Sequence, residues 1–74
     1  MELFEQVALT EDLPTFHLFK GDVGTVVDIT PNGKQYTIEF FNFMGKTIAV
    51  VPVSPAQIRP IEADEVVHTR PIKS

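Results

Sequence analysis

One stretch decides the fold of this chain: Lys20-Gly21-Asp22-Val23-Gly24-Thr25-Val26-Val27-Asp28-Ile29-Thr30. Gly21-Asp22 is a turn pair, because glycine tolerates positive φ and aspartate bonds its own backbone. The β-branched residues that follow suit a pleated, half-buried strand. Gly24 stands alone near the start of that strand, where a glycine marks a bulge, a sharp bend or a close backbone approach. The stretch predicts a turn that leads into a strand over Val23–Thr30.

A hairpin is expected directly after this strand. Pro31-Asn32-Gly33-Lys34 places Asn-Gly between two β-prone runs. This pair predicts a type I′ turn, which needs positive φ at both Asn32 and Gly33. In the next predicted strand, Gln35–Phe41, the apolar residues are every second one until Phe41. Such alternation predicts one buried face and one face in water.

The rest of the chain supplies three more short strands and their connections. Gly45 is expected in the left-handed conformation at the turn after Asn42. The low polarity of the fourth strand predicts that both of its faces are covered. Because Pro52 lacks an N–H, it indicates that this strand lies at an edge of the sheet or that the strand ends there. Ser54 and Pro55 are typical of the start of a helical turn. The predicted elements are a strand at Phe4–Thr10, a loop at Glu11–Lys20, a strand at Lys46–Val53, a single helical turn at Ser54–Gln57 and a strand at Ile58–Ile61.

These elements predict an all-β domain. Five short strands, a long first loop and a one-turn helix before the last strand favour a small SH3-like antiparallel barrel over residues 1–61. An oligonucleotide-binding-fold barrel is the alternative, but its strands are usually longer than this chain can supply. Residues 62–74 are charged and polar around the small apolar island Val66-Val67. We expect them to form a mobile tail.

Composition limits the classes of function. The chain has 74 residues, no cysteine and a formal net charge of −4. Disulfides, thiolate catalysis and cysteine-based zinc sites are excluded. No apolar run approaches the roughly 20 residues of a membrane helix. The acidic residues near Met1 do not match a secretory leader, so we expect a cytoplasmic protein. An excess of acid also disfavours nucleic acid and anionic membranes as partners.

The titratable residues do not form a catalytic pattern. Glu11 and Asp12 are adjacent, and neighbours in an extended chain point apart. His17 lies in the same loop, but these three residues match no metal-ligand spacing. Ser54 has no histidine or aspartate pattern around it that would make it a nucleophile. We therefore predict neither an enzyme nor a cofactor, and no metal site.

Apolar residues in loops are the candidates for partner contact. They either fold under the barrel or form an exposed patch, and aromatic and methionine side chains are what partner surfaces favour. An open barrel edge could also add a strand from another chain, and a homodimer could form through that edge or through the tail. The candidate contact residues are Phe16 and Phe19 in the first loop and Phe41, Phe43 and Met44 near the third turn.

Several motifs together resemble the uncharacterised bacterial domain-of-unknown-function family 4926. The similarity spans roughly residues 3–61 and differs in the tail and in the aromatic run Phe40-Phe41-Asn42-Phe43. The resemblance implies a small β-barrel, and the family offers no catalytic residues to transfer. The motifs are Val7-Ala8-Leu9, Glu11-Asp12-Leu13-Pro14, Gly21 to Val27, Tyr36 to Phe40, Gly45-Lys46-Thr47 and Gln57-Ile58-Arg59-Pro60.

Two functions follow as expectations. The first is a non-catalytic protein-interaction module, of an antitoxin or immunity type, because the family resembles small partners encoded beside larger proteins. The alternative is a nucleic-acid-binding small barrel of the KOW-like kind, because turns of the form G-D-x-G-x-V resemble ribosomal and transcription-factor modules. In that alternative Tyr36, Phe41 and Phe43 would stack on bases.

Overall fold

The computed structural model describes residues 1–42 and 44–61. Within them the chain forms five strands and two short 3₁₀ turns. The strands are β1 (Gln6–Leu9), β2 (Val23–Ile29), β3 (Tyr36–Phe41), β4 (Thr47–Val53) and β5 (Ile58–Pro60), and the 3₁₀ turns are Pro14–Phe16 and Pro55–Gln57. The predicted single helical turn before the last strand is confirmed as the second 3₁₀ turn.

The five strands form one antiparallel sheet in the order β4-β3-β2-β1-β5. The all-β prediction and the five antiparallel strands are therefore confirmed. Among the described residues, β4 and β5 remain the two edges of the sheet, with no ladder between them. Closure into a barrel stays a prediction.

The core lies on one face of the sheet. The alternation predicted for β3 is confirmed, because Tyr36, Ile38 and Phe40 are buried while Thr37 and Glu39 are not. Leu18, a loop residue, is fully buried with them. The buried cluster comprises Val7, Leu9, Leu18, Val26, Tyr36, Ile38, Phe40, Val51, Val53 and Ile58.

The first strand begins later than the sequence suggests. Phe4 has a φ of 64°, a conformation that is unusual for a bulky residue, and its side chain is 73% exposed. A turn holds it there: Glu5 N–H donates to Glu2 O (3.2 Å), and Glu2 N–H donates to Glu5 Oε1 (3.0 Å). The prediction that Phe4 belongs to the first strand is thus wrong, because this local turn precedes Gln6.

The hairpin between β2 and β3 is confirmed, but its predicted turn type is wrong. Gly33 has a φ of 70°, whereas Asn32 does not have a positive φ. The turn closes one residue earlier than expected, with Gly33 N–H donating to Thr30 O (2.8 Å). Pro31 then occupies the position of the turn that proline favours, and Asn32 Oδ1 accepts from Lys34 N–H (2.9 Å).

Gly24 marks a close approach between strands, one of the three roles predicted for it. A Cβ atom at this position would lie 2.5 Å from Ile38 Cγ2, 2.9 Å from Glu39 O and 3.0 Å from Phe40 Cδ1. The irregularity in the β2–β3 register lies elsewhere, between Val26 and Asp28. Gly24 is therefore required for the fit of β2 against β3.

Only one face of β4 is covered, which corrects the expectation for this strand. Val51 and Val53 point into the core, opposite Ile38 and Tyr36. Val50, which precedes Val51, is 53% exposed, and Pro52, between Val51 and Val53, is exposed as well. The sequence did not indicate that only one face of β4 is buried, because Val50 on the exposed face is as apolar as the residues on the buried face.

Two hydrogen bonds fix the direction of the backbone groups across the sheet. Val26 N–H donates to Glu5 O (3.0 Å), and Val26 O accepts from Phe4 N–H (2.6 Å), so both groups point toward β1. Val26 pairs with Ile38, and Ile38 pairs with Val51. Because backbone direction alternates in an antiparallel ladder, Ile38 and Val51 point their groups at each other.

The open edge of β4 consequently presents few hydrogen-bond donors. Val50 and Pro52, on either side of Val51, turn their backbone groups to this edge. Pro52 has no N–H to offer. The next outward group, Ser54 N–H, donates to Gln57 Oε1 at 2.8 Å. Prolines and internally satisfied groups are how natural sheets protect an edge from other chains.

The open edge of β5 is protected in the same way. Leu9 N–H donates to Asp22 O (3.0 Å), so the backbone groups of Leu9 point away from β5. Ile58 is paired with Leu9 on β5, and its backbone N–H and C=O therefore point outward from the sheet. Ile58 N–H is taken by Pro55 O in the second 3₁₀ turn. Pro60, two residues further, lacks an N–H. Both edges therefore disfavour the strand addition and the edge-to-edge homodimer considered from the sequence.

Restoring a donor at the β4 edge is expected to promote self-association. Pro52→Thr adds a second outward-pointing N–H next to that of Val50, so that a strand of another chain can form more hydrogen bonds with this edge. We expect a concentration-dependent rise in the mass measured by analytical ultracentrifugation. Pro55→Ala removes a proline from the 3₁₀ turn without adding an edge donor and serves as the control. A Pro52→Thr protein that sediments like wild type and Pro55→Ala contradicts this account of the edge.

Candidate partner-binding surface

The β1–β2 loop and the β3–β4 turn lie at the same end of the sheet. Gly24 of β2 pairs with Phe40 of β3, so Val23 and Phe41 mark this end on the two strands. The chain enters Val23 from the β1–β2 loop and leaves Phe41 into the β3–β4 turn. Four of the residues predicted to contact a partner lie at this end of the sheet: Phe16 and Phe19 in the loop, Phe41 at the end of β3 and Met44 in the turn.

The β1–β2 loop is folded back on itself. Leu13 and Leu18 exchange two backbone hydrogen bonds, of 2.8 Å from Leu13 N–H and 3.2 Å from Leu18 N–H. The 3₁₀ turn Pro14–Phe16 and the left-handed His17 (φ 57°) close the tip between them. Leu13 packs against the core cluster and Leu18 enters it. The loop therefore continues the core at one end of the sheet.

Carboxylates hold the second half of this loop. Asp22 is buried, and its Oδ2 accepts from Phe19 N–H at 2.8 Å while Asp22 N–H donates to Phe19 O at 2.9 Å. Asp12 Oδ1 accepts from Lys20 N–H at 2.8 Å. Gly21, with a φ of 93°, makes the turn that these bonds close. These bonds fix the backbone at Phe19, so its side chain is presented from an ordered segment.

The β3–β4 turn is ordered by one amide side chain. Asn42 Oδ1 accepts from the N–H groups of Met44 and Lys46, each at 3.0 Å. Gly45 N–H donates to Asn42 O (2.9 Å), and Gly45 has the left-handed φ of 83° that the sequence predicted. Met44 is thereby held at the outside of the turn.

The four candidate contact residues within the described part are exposed. Phe16 and Phe19 are each 44% exposed, Phe41 is 38% and Met44 is 81%. We call these four residues the loop-end surface. Phe43, the fifth candidate, lies outside the described residues, as do Val66, Val67 and the predicted tail 62–74. Of the apolar side chains in the first loop, those of Leu13 and Leu18 point inward and those of Phe16 and Phe19 stay outside.

Other candidates from the sequence have different positions. Tyr36 belongs to the buried cluster, so the expectation that it stacks on a base is wrong. Glu11, Asp12 and His17 are all exposed in the first loop. Over residues 1–42 and 44–61, no group of three or more histidine or acidic side chains converges to hold a metal ion. In the same part of the chain, no helix is long and apolar enough to span a membrane.

Sequence reasoning missed two exposed apolar residues and one buried acid. Phe4 and Val50 were assigned to covered strand positions, and no polar neighbour pattern marked them as exposed. Asp22 was identified only as a turn residue, although its role in bonding the backbone was the right signal. Its burial depends on the fold of the whole loop, which no local pattern specifies.

Removing the Asp22 carboxylate is expected to loosen the loop. Asp22→Ala leaves Phe19 N–H without its acceptor, which should lower the free energy of unfolding by about 1–3 kcal/mol. Asp22→Asn keeps an oxygen for this bond and should lose less. Chemical denaturation measures both values, and amide hydrogen exchange at Phe19 should accelerate in Asp22→Ala. Unchanged exchange at Phe19 would show that Asp22 does not hold this segment.

Comparison with known proteins gives a family and no activity. No curated protein and no solved structure is detectably similar to the chain. The sequence pattern of one family matches residues 3–60, which include every described strand and both 3₁₀ turns. The chain belongs to the family described as Domain of unknown function (DUF4926).

Proposed function

We propose that this chain is a non-catalytic, cytoplasmic protein-interaction module that binds its partner through the loop-end surface. One observation carries the proposal: four large apolar side chains are exposed on two ordered segments at one end of the sheet. Exposed aromatic residues on rigid supports lose little conformational entropy on binding, and both aromatic and methionine side chains bury much apolar area.

We propose an SH3-like barrel as the scaffold of this module. The strand order β4-β3-β2-β1-β5 and the 3₁₀ turn that leads into β5 are compatible with it. Register shifts occur between Val26 and Asp28 and between Phe40 and Phe41. Bulges of this kind bend and twist a strand, which a small sheet needs before it can curl toward closure.

The distribution of charge supports a basic partner. Residues 1–61 contain seven acids and four bases, for a net charge of −3. Near the loop-end surface, Glu11, Asp12 and the buried Asp22 are opposed by Lys20 and Lys46, so most of the net acidic charge lies elsewhere on the domain. An apolar contact area within an acidic molecule can attract a basic protein by long-range electrostatics and hold it by burial. A toxin-neutralising or immunity role is consistent with this arrangement.

Contact through side chains also agrees with the protected sheet edges. Strand addition needs a row of available backbone donors and acceptors. Pro52 and Pro60 remove donors from the two open edges. The partner is therefore expected to meet the loop-end surface and not to extend the sheet.

The proposal is tested with matched surface variants. The tagged full chain is used for affinity capture from its native cells, and recovered proteins are quantified. Phe16→Ser combined with Phe19→Ser should reduce recovery of a specific partner at least about tenfold, because each exposed anchor contributes on the order of 1–2 kcal/mol. Val50→Ser removes an exposed apolar residue outside the loop-end surface and should leave recovery unchanged. Equal recovery by all three proteins rules out this surface as the contact.

A nucleic-acid-binding small barrel is the second candidate. The observation in its favour is the position of Lys20 directly after the exposed Phe19, since an aromatic face beside a cation can stack on an unpaired base. The net acidic charge opposes it. Titration with single-stranded RNA and DNA at low salt decides the matter, and no binding at about 100 μM protein ends this candidate.

A further inference from the structure

A cleft lies at the end of the sheet opposite the loop-end surface. Its position follows from the register, because Ile29, Tyr36 and Val53 are paired across β2, β3 and β4 at that end. The cleft has a volume of about 260 Å³. The described residues that line it are Lys34, Gln35, Pro52, Val53, Ser54 and Gln57.

The polar side chains of this lining supply several hydrogen-bond donors. Gln57 Oε1 accepts from Ser54 N–H at 2.8 Å, and a backbone N–H requires the oxygen of the carboxamide on that side. The amide nitrogen of Gln57 is therefore the polar atom left for the cleft. Lys34 and Gln35, whose side chains end in an ammonium group and a carboxamide, also line the cleft. Pro52 and Val53 supply an apolar wall.

The charge of the cleft contrasts with the charge of the chain. The only charged residue among the described lining residues is Lys34, although the chain as a whole carries −4. On the face that carries Pro52, Glu39 is its diagonal neighbour on β3 at about 7–8 Å, and Asp28 lies two strands away at about 10 Å. A positive group with three neighbouring polar side chains and an apolar wall fits a small acid with a short carbon skeleton.

We propose that this cleft binds a small organic carboxylate, either as a free acid or as the acidic side chain of a peptide. Lys34 would neutralise the charge, the Gln57 amide nitrogen would donate to a carboxylate oxygen, and Pro52 with Val53 would cover the carbon chain. The site is independent of the loop-end surface, so its failure in a test leaves the proposed function untouched.

The test is a titration of the uniformly ¹⁵N-labelled full chain, followed by NMR. Sodium succinate probes a free acid, the capped tripeptide acetyl-Gly-Asp-Gly-amide probes an acidic side chain, and neutral succinamide is the matched control. We expect saturable shifts in the amides of residues 34, 35, 54 and 57 with the acids and none with succinamide. The tighter of the two acids identifies the source of the carboxylate.

Three variants separate specific binding from general charge effects. Lys34→Met should weaken binding about tenfold, the loss typical of a charge-assisted hydrogen bond. Gln57→Glu keeps an acceptor for Ser54 N–H but replaces the donor with a repelling acid, and it should weaken binding at least as much. Lys46→Met removes an equal charge from the other end of the sheet and should bind like wild type. Shifts that stay linear to about 20 mM acid, or equal losses in Lys34→Met and Lys46→Met, overturn the proposal.

Discussion

Replacing Leu18 by alanine is expected to lower the free energy of unfolding by about 2–5 kcal/mol. Leu18 is in a loop, yet its side chain is fully buried in the same cluster as Phe40 and Ile38. Truncation removes the transfer free energy of the side chain and leaves a cavity that the surrounding strands can fill only in part. A domain of this size has only a few kcal/mol of stability, so much of the protein should be unfolded at 37 °C.

The control for Leu18→Ala lies next to it in the chain. Phe19 is 44% exposed, and its backbone N–H donates to Asp22 Oδ2, a hydrogen bond that Phe19→Ala retains. We expect this larger truncation to cost less than about 1 kcal/mol. Urea denaturation of the two variants compares them directly. Similar losses for both would mean that the β1–β2 loop does not contribute a specific side chain to the core.

Gly24→Val is expected to destabilise the protein by about 3 kcal/mol or more. The first added carbon already meets Ile38 Cγ2 at 2.5 Å and Glu39 O at 2.9 Å. The isoleucine methyl group can move, but the backbone oxygen belongs to the β2–β3 ladder and can move only if the strands separate. Gly24→Ala should cost about 1–3 kcal/mol for the same reason.

Gly21→Ala separates crowding from backbone strain. Gly21 has nothing within 4 Å of an added Cβ, but its φ is 93°. We expect a loss of about 1–2 kcal/mol, set by the left-handed backbone alone. Thermal unfolding should therefore place both alanine variants below wild type and Gly24→Val below both of them. A Gly24→Val protein as stable as Gly21→Ala would show that β2 and β3 do not approach as closely as described.

The strands could be predicted because their signals are local. Alternation at Tyr36, Ile38 and Phe40 follows from the two-residue period of a strand, and it placed β3 and its buried face correctly. Gly45 was recognised because its left-handed φ favours glycine, and Gly24 because a lone glycine in a strand is typical of a close approach. Strand ends also agreed to within about one or two residues.

Most of the predictions that failed depend on contacts between distant residues, and Phe4 is the local exception. Phe4 left the first strand because a turn between Glu2 and Glu5 outweighs its β propensity. The local sequence could not indicate that Leu18 is buried and Phe19 exposed. This difference arises from the pairing of Leu18 with Leu13, which sets the direction of both side chains. The donor-lined cleft was invisible because it joins residues 34–35 to residues 52–57, which meet only in the folded sheet.

Site-specific photocrosslinking tests the central claim most directly. The claim is that this module works by contact through the loop-end surface. A benzophenone amino acid in place of Phe19 keeps an aromatic group at the proposed contact, and the same group in place of Val50 probes the outer sheet face. After irradiation of native cells, we predict one adduct of defined mass from position 19 that is absent from position 50. No adduct from position 19, or the same adducts from both positions, would contradict the account.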